Sequence, residues 1–221
     1  MFYKYTMAKK DKKQDISQEN IPPEAKEKLE KIKKKLDKFK DKLVKKFDKY
    51  ISAISLLPPP QAEEGKEVDP DQINVLVLVD DSDSQKMSKQ ELKDKLSKII
   101  ETIGKETDKK FVTQTIILSE VWQSAYDAKP ELLQMIAVSA PIYDKGMLAA
   151  IKISEIHKTM VLKKFEKYIV SYVLSGSVVR GEATEQSDID VMVIIDDTDV
   201  KKMTRAELKD KLRAIIIGMG M

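Results

Sequence analysis

An internal repeat constrains the fold of this chain more than any other feature of its sequence. Segment 73–100, INVLVLVDDSDSQKMSKQELKDKLSKII, aligns without a gap with segment 189–216, IDVMVIIDDTDVKKMTRAELKDKLRAII. The repeat extends upstream, because KFDKYI at 46–51 returns as KFEKYI at 164–169, with the following loop two residues shorter in the second copy. We therefore expect a tandem duplication, with two related structural units in one chain.

Each copy predicts the same order of elements. A helix is followed by a short strand, a loop, a β-rich run at 75–79 or 191–195, an acidic turn, and an amphipathic helix that begins near Ser88 or Thr204. This order predicts an α/β (α+β) fold with two units, each a small mixed β-sheet with flanking helices.

The two copies differ after the second helix. The first continues with an apolar run at 111–118, a helix around 130–138 and the segment 141–144. The second stops at Met221, so we expect it to be truncated and to lack its third strand.

A long charged segment precedes the first copy. Across 23–54 the apolar residues recur at alternating spacings of three and four, at Leu29, Ile32, Leu36, Phe39, Leu43 and Phe47. That spacing predicts a long amphipathic helix whose apolar stripe packs on the first unit while its lysines face water. The alternative is a nucleic-acid-binding module that uses the lysine-rich face.

These patterns predict four segments. Residues 1–22 form a disordered basic tail, and 23–57 contain the amphipathic helix that leads into the first unit. Residues 58–146 form the first unit, and 147–221 form the second, incomplete at its C-terminus.

Composition restricts the chemistry. Among 221 residues there is no cysteine and one histidine, which excludes a disulfide framework and a thiolate metal site and leaves oxygen atoms to hold any metal. The 40 basic and 37 acidic residues give a net charge of only +3, too small to indicate nucleic-acid binding by itself. No apolar run has the length of a membrane span, so we expect a cytoplasmic protein without a membrane partner.

The second copy contains a motif suited to phosphate and metal, SGSVVRGEATEQSDID at 175–190. Gly176 allows a ligand to approach the backbone, Ser177 offers a hydroxyl and an amide, and Arg180 offers a guanidinium to phosphate oxygens. Asp188 and Asp190 are two apart at the start of a strand, which places both carboxylates on one face. Two such carboxylates favour Mg²⁺ or Mn²⁺.

This motif resembles the signature of the DNA polymerase β-like nucleotidyltransferase superfamily, a glycine–serine pair followed about ten residues later by Asp-x-Asp on a strand. The version here looks most similar to the minimal nucleotidyltransferases of archaea and bacteria, which include antitoxins that adenylylate their toxins. The resemblance implies that Gly176, Ser177, Arg180 and Ser187 bind the triphosphate of an NTP, with ATP expected. It also implies that Asp188 and Asp190 are catalytic and bind two metal ions, while a hydroxyl attacks the α-phosphate and pyrophosphate leaves.

The first copy lacks these residues. Gln72 and Asn74 replace the two aspartates, and the prolines at 58–60 stand where the glycine–serine pair would be. We expect this copy to be degenerate and to bind no catalytic metal. The family usually adds a third carboxylate from the next strand, and the first copy has none at 111–115.

Two functions follow from the resemblance. In the first, the protein is a nucleotidyltransferase that acts on a hydroxyl of an unidentified acceptor, which could be a protein, a nucleic acid or a small molecule. In the alternative, it is a catalytically inactive nucleotide-binding or protein-interaction protein of a regulatory, antitoxin-like kind, with a partner protein.

Other polar and aromatic residues have simpler interpretations. We interpret the acidic segments 80–83 and 196–199 as turns that cap the following helices rather than as metal sites. The lone histidine, His157, is interpreted as a helix-surface or packing residue. Trp122 and Tyr126 are interpreted as core or interface residues.

Overall fold

The computed structural model describes residues 2–6, 23–59, 69, 71–84, 86–184, 186–198 and 203–219. The chain divides into two compact units, an amino-terminal unit of residues 8–144 and a carboxy-terminal unit of residues 1–7 and 145–221. The strands are β1 (Phe2–Thr6), β2 (Ile51–Leu56), β3 (Ile73–Val79), β4 (Phe111–Ile117), β5 (Ala140–Asp144), β6 (Ile169–Ser175) and β7 (Asp188–Ile195). The α-helices are α1 (Pro23–Phe47), α2 (Lys89–Thr107), α3 (Leu118–Tyr126), α4 (Glu131–Val138), α5 (Met147–Phe165) and α6 (Arg205–Gly218).

The amino-terminal unit contains a four-stranded mixed sheet in the order β4-β3-β2-β5. β3 pairs in parallel with β4, whereas β2 is antiparallel to both β3 and β5. The α2 helix connects β3 to its parallel neighbour, as such a crossover requires. The predicted mixed α+β class is thereby confirmed.

The apolar stripe of α1 contributes to the core of this unit. Phe39 and Leu43 are fully buried, and the ring of Phe39 stacks on that of Phe111 with centroids 5.2 Å apart. Burying each such side chain contributes about 1.5–3 kcal/mol. The predicted stripe is confirmed except at its first position, because Leu29 is 54% exposed. The helix also ends at Phe47 rather than near residue 54, since Ile51–Leu56 is a strand.

Side-chain caps fix the starts of α2 and α6, the helices that follow β3 and β7. The Oγ of Ser88 accepts a hydrogen bond from the Glu91 amide at 3.2 Å before α2. Thr204 and Glu207 form a reciprocal capping box before α6, with the Thr204 amide donating to Glu207 Oε2 at 2.8 Å. The starts predicted near Ser88 and Thr204 are confirmed.

The carboxy-terminal unit contains a three-stranded antiparallel sheet in the order β1-β7-β6. Its outer strand comes from the amino terminus of the chain, with Lys4 opposite Asp190 and Thr6 opposite Asp188 in the register. One expectation needs correction, because residues 2–6 form a strand rather than a disordered tail, with 1 and 7–22 outside the described residues. The absence of a counterpart of β4 after the second helix stays a prediction.

The central strand pairs of the two units share their geometry. Ile51 lies opposite Val79 and Ala53 opposite Leu78, with one register shift between the two pairs. In the other unit Ile169 lies opposite Ile195, and a single register shift again separates that pair from the next. The outer neighbour differs, because β3 has a parallel strand beside it and β7 an antiparallel one.

Candidate functional site

The connection from β6 to β7 holds the residues of the phosphate and metal motif. It begins with turns at 176–181, where the Glu182 amide donates to the Ser177 carbonyl at 2.9 Å and the Gly181 amide to the Val178 carbonyl at 3.2 Å. The side chains of Val178 and Ala183 are buried and anchor the connection. The loop is therefore fixed at Val178 and Ala183, whereas Val179, Arg180 and Glu182 are exposed.

Gly176 lies directly against Asp190. Its φ is +74°, in the left-handed region, and a β-carbon at this position would lie 2.2 Å from Oδ2 of Asp190. Ser175 is the register partner of Asp190, so the turn begins beside the carboxylate. Only glycine fits this position, because any side chain would be strained in φ and would clash with the carboxylate.

Asp188 and Asp190 flank the buried Ile189 at the start of β7, and both are half-buried. Alternation along a strand places their side chains on the same face. The amino-terminal unit provides a direct example at the matching positions, where the Gln72 Nε2 donates to the Asn74 Oδ1 at 2.6 Å. Two residues at this spacing can thus bring their polar atoms to one point.

The donor set of this site is a pair of carboxylates. Carboxylate oxygens suit Mg²⁺ and Mn²⁺, so these two residues fit the metal that the motif implies. The described ranges contain no cluster of three or more acidic or histidine side chains placed to hold a metal. The strand beside β7 has the sequence FYKYT, which offers no acid.

Arg180 and Ser187 contact neighbours within the loop. The Nε of Arg180 donates to Glu182 Oε2 at 2.7 Å, and both side chains are exposed. The Oγ of Ser187 accepts from the Thr184 amide at 2.9 Å and lies 3.2 Å from the Thr184 hydroxyl. Ser187 therefore closes the loop, while the Arg180 guanidinium is at the surface in an ion pair that a phosphate could replace.

The acidic segments after β3 and β7 form turns at 80–83 and 196–198, as predicted, and Asp199 lies outside the described residues. Oδ1 of Asp80 accepts from the Ser82 amide at 2.9 Å, and Oδ1 of Asp196 accepts from the Thr198 amide at 3.0 Å. The hydrogen bonds from Thr198 lower the pKa of Asp196. The predicted capping by these aspartates is wrong, because Ser88 and Thr204 cap the helices that follow.

His157 is a buried member of a polar network, which sequence reasoning described only as surface or packing. It is 4% exposed, with Nε2 3.1 Å from the Ile216 carbonyl and Nδ1 2.8 Å from the Tyr172 hydroxyl. Since a carbonyl only accepts, Nε2 carries the proton and Nδ1 of the neutral ring accepts from Tyr172. Burial lowers the pKa of His157 below its ordinary value. The packing interpretation fits this position, and the surface one does not.

Of the two aromatic residues on α3, only one is even partly buried. Trp122 is half-buried, whereas Tyr126 is 87% exposed. The interpretation of Tyr126 as a core residue is therefore wrong.

One comparison with known proteins finds a match within the carboxy-terminal unit. A family model described as a nucleotidyltransferase domain matches residues 154–216. The carboxy-terminal unit is similar to a nucleotidyltransferase. The matched segment begins within α5, includes β6, the loop and β7, and ends within α6, so it contains every residue of the predicted site. No curated protein and no solved structure matches the chain.

A nucleotidyltransferase domain implies a transferase that uses a nucleoside triphosphate. The matched segment supports the nucleotidyltransferase superfamily for this region and contains no part of the amino-terminal unit. No described helix is long and apolar enough to cross a bilayer.

Proposed function

We propose that the carboxy-terminal unit transfers a nucleoside monophosphate from an NTP, with ATP expected, to a hydroxyl group. The main observation behind the proposal is that Gly176 lies against Asp190. This contact brings the backbone of the proposed phosphate-binding loop next to a carboxylate that is proposed to bind metal. The family match over 154–216 supports the same reaction class. The acceptor is one of three kinds, a protein, a nucleic acid or a small molecule.

Each residue of the motif has a proposed task. Gly176 and Ser177 bind the phosphates nearest the carboxylates, Ser177 through its amide and hydroxyl. Arg180 exchanges Glu182 for a phosphate oxygen, which an exposed ion pair allows at a cost of about 0–1 kcal/mol. Ser187 keeps the loop closed, and Asp188 and Asp190 present oxygen ligands. Bound there, Mg²⁺ or Mn²⁺ would neutralise charge that develops on the transferred phosphate.

We further propose that the chain is a tandem duplication of a minimal nucleotidyltransferase, with the amino-terminal unit degenerate. The shared register shift in β2–β3 and β6–β7 supports common descent of the two units. The hydrogen bond between Gln72 and Asn74 supports the loss of metal binding, since two amides satisfy each other without an ion. A cytoplasmic location and a divalent cofactor belong to this proposal as predictions.

The second candidate function is a nucleotide-binding protein without transferase activity. β1 lies beside β7, and β4 lies beside β3. Neither β1 nor β4 contains an acidic residue. Two carboxylates can still bind a metal–nucleotide complex, whereas the reaction in this superfamily usually uses three. A regulatory protein that captures nucleotide and binds a partner would fit that donor set.

Pyrophosphate release separates the two candidates. The purified chain is incubated with α-labelled ATP, Mg²⁺ and separate protein, RNA and small-molecule fractions. Transferase activity predicts label in one fraction together with stoichiometric pyrophosphate, both lost in Asp188→Asn. Metal-dependent ATP binding without pyrophosphate in any fraction supports the second candidate, and no ATP binding contradicts both.

A further inference from the structure

A cavity of about 230 Å³ lies in the amino-terminal unit at the end of β3, away from Gln72 and Asn74. Its walls are apolar and come from the end of α1, the end of β3 and one face of α2, through Phe47, Val79, Leu92 and Leu96. The seven residues of β3 separate it from the degenerate site by about 20 Å. This cavity is therefore distinct from the degenerate site of the same unit.

The rim of the cavity is acidic. Asp80, Asp81 and Asp83 line it beside the ring of Tyr50. Oδ1 of Asp81 accepts from the Ser119 amide at 3.0 Å, as Oδ1 of Asp80 does from the Ser82 amide, so backbone hydrogen bonds hold both carboxylates in place. The cavity thus has apolar walls and fixed negative charge at its opening.

The protein already places an ammonium group at this rim. Nζ of Lys49 lies 2.5 Å from Oδ2 of Asp83 and 5.7 Å from the centroid of the Tyr50 ring. The Asp83 carboxylate forms an ion pair with the ammonium group, and the face of the Tyr50 ring forms a cation–π contact with it. Lys49 thus illustrates the ligand chemistry that the rim accepts.

The duplication adds a second argument. Three apolar residues of β3 differ in the second copy, where Met192, Ile194 and Ile195 stand for Leu76, Leu78 and Val79, as is expected when only packing matters. The aromatic, acidic and leucine residues of the cavity instead keep their identity in the second copy, as Phe165, Tyr168, Asp196, Asp197, Asp199, Leu208 and Leu212. The two aspartates of the proposed metal site are not kept, because Gln72 and Asn74 stand at the positions of Asp188 and Asp190.

A structural role does not account for all of this identity. Asp81 caps the start of α3, but its counterpart Asp197 has a different contact, an ion pair with Arg205 at 3.0 Å. The carboxylate persists although its structural partner changes. Negative charge at this position is the property that the two copies share.

We propose that the cavity binds a small aliphatic amine, with the alkyl chain between Phe47, Leu92 and Leu96 and the ammonium group at the aspartate rim. The apolar walls select the chain, and the carboxylates select the positive charge. A free amine is the intended ligand rather than a lysine side chain of another protein.

The test uses the full chain, n-butylamine as the probe and 1-butanol as its neutral counterpart. Methyl resonances of Leu92 and Leu96 report binding. The proposal predicts saturable shifts with the amine and none with the alcohol. Equal shifts with both compounds, or shifts that do not saturate, overturn it. Tighter binding of N-acetyl-lysinamide than of n-butylamine overturns it in favour of a protein lysine.

Charge variants test the role of the rim. The double variant Asp80→Asn, Asp81→Asn keeps an oxygen acceptor for both backbone amides and should weaken n-butylamine binding about five- to tenfold. Asp94→Asn removes the same charge from an exposed position on α2 outside the cavity and should leave the affinity unchanged. Equal weakening in both proteins would show a general charge effect and overturn the proposal.

A third variant keeps the test decisive if the double variant does not fold. Lys49→Met removes the internal ammonium group that competes for Asp83, at a side chain that is 73% exposed and therefore tolerant of substitution. We expect tighter n-butylamine binding in Lys49→Met than in the wild type. Unchanged or weaker binding there contradicts it.

Discussion

The α-carbon of Gly176 lies so close to Asp190 that an added β-carbon would be 2.2 Å from Oδ2 of that aspartate. The two residues come from opposite sides of the β6–β7 connection, and Ser175 pairs with Asp190 in the sheet. A loop that binds phosphate and a carboxylate that binds metal must meet at one point in a nucleotidyl transfer. In the proposed site, the contact between Gly176 and Asp190 would bring the two together.

Gly176→Ala tests the contact. The new side chain would be strained at a φ of +74° and would displace the Asp190 carboxylate. We expect a loss of unfolding free energy of at least about 1–3 kcal/mol and loss of Mg²⁺-enhanced ATP binding. Chemical denaturation and calorimetry measure the two effects.

Gly218→Ala is the matched control, because a β-carbon there would meet nothing within 4 Å and the residue ends α6. It should be neutral or stabilise the protein by up to about 1 kcal/mol, with ATP binding unchanged. Equal losses in the two variants would contradict the assigned role of Gly176.

Asn74→Ala tests the degeneracy of the amino-terminal unit. It removes the 2.6 Å hydrogen bond from Gln72 and should lower stability by about 0.5–1.5 kcal/mol. ATP affinity with Mg²⁺ should stay the same, because amides supply no anionic ligand. A decrease in affinity similar to that of Asp190→Ala would mean that this unit also binds nucleotide.

Deletion of residues 2–6 tests the role of β1. Without this strand, the β7 backbone groups that pair with it lose their partners, including those near Asp188 and Asp190. We expect amide hydrogen exchange across Asp188–Ile195 to accelerate at least about tenfold. β3, which pairs with β2 and β4, is the internal control and should keep its protection. Unchanged exchange in β7 would show that β1 does not stabilise it.

The buried imidazole of His157 predicts a pH dependence of stability. Its pKa in the folded protein lies below the ordinary value of 6.5, because burial opposes the charged form. The unfolded chain therefore binds more protons in the window below pH 6.5, so the contribution of His157 is present above this pH and is lost as pH falls.

The comparison is with His157→Gln, which has a donor and an acceptor but does not titrate. Denaturation curves between about pH 8 and 5 should show wild type losing stability relative to the variant below about 6.5, by at most about 1.4 kcal/mol per pH unit. Parallel curves would mean that His157 is not held neutral. The nearby Glu155 and Lys158 form an ion pair at 2.6 Å and are present in both proteins.

The sequence predicted the features that depend on local pattern. The period of the α1 stripe, the caps at Ser88 and Thr204 and the strand positions of the two aspartates all follow from spacing and residue type. For Gly176 the sequence predicted only that a ligand can approach the backbone, and this stays a prediction. The close contact with Asp190 is a property of the pairing register, which the sequence does not state.

The failures concern long-range pairing. β1 joins a strand about 190 residues away, and local pattern alone indicated a tail for its lysine-flanked sequence, although Phe2, Tyr3, Tyr5 and Thr6 are strand-forming residues. His157 aligns with Phe39 when the repeat at 46–51 is extended upstream, and Phe39 is a predicted stripe residue. That alignment was the available signal for a buried histidine.

We propose that Asp188 and Asp190, with Gly176 and Ser177, form a site that binds the triphosphate of ATP in a metal-dependent way. Titration calorimetry of the full chain with ATP, with and without Mg²⁺, tests it most directly, together with Asp190→Asn and the control Asp210→Asn on the exposed face of α6. We expect Mg²⁺ to tighten ATP binding in the wild type and in Asp210→Asn, and we expect Asp190→Asn to abolish this enhancement. Equal ATP affinity with and without metal in the wild-type protein would contradict it.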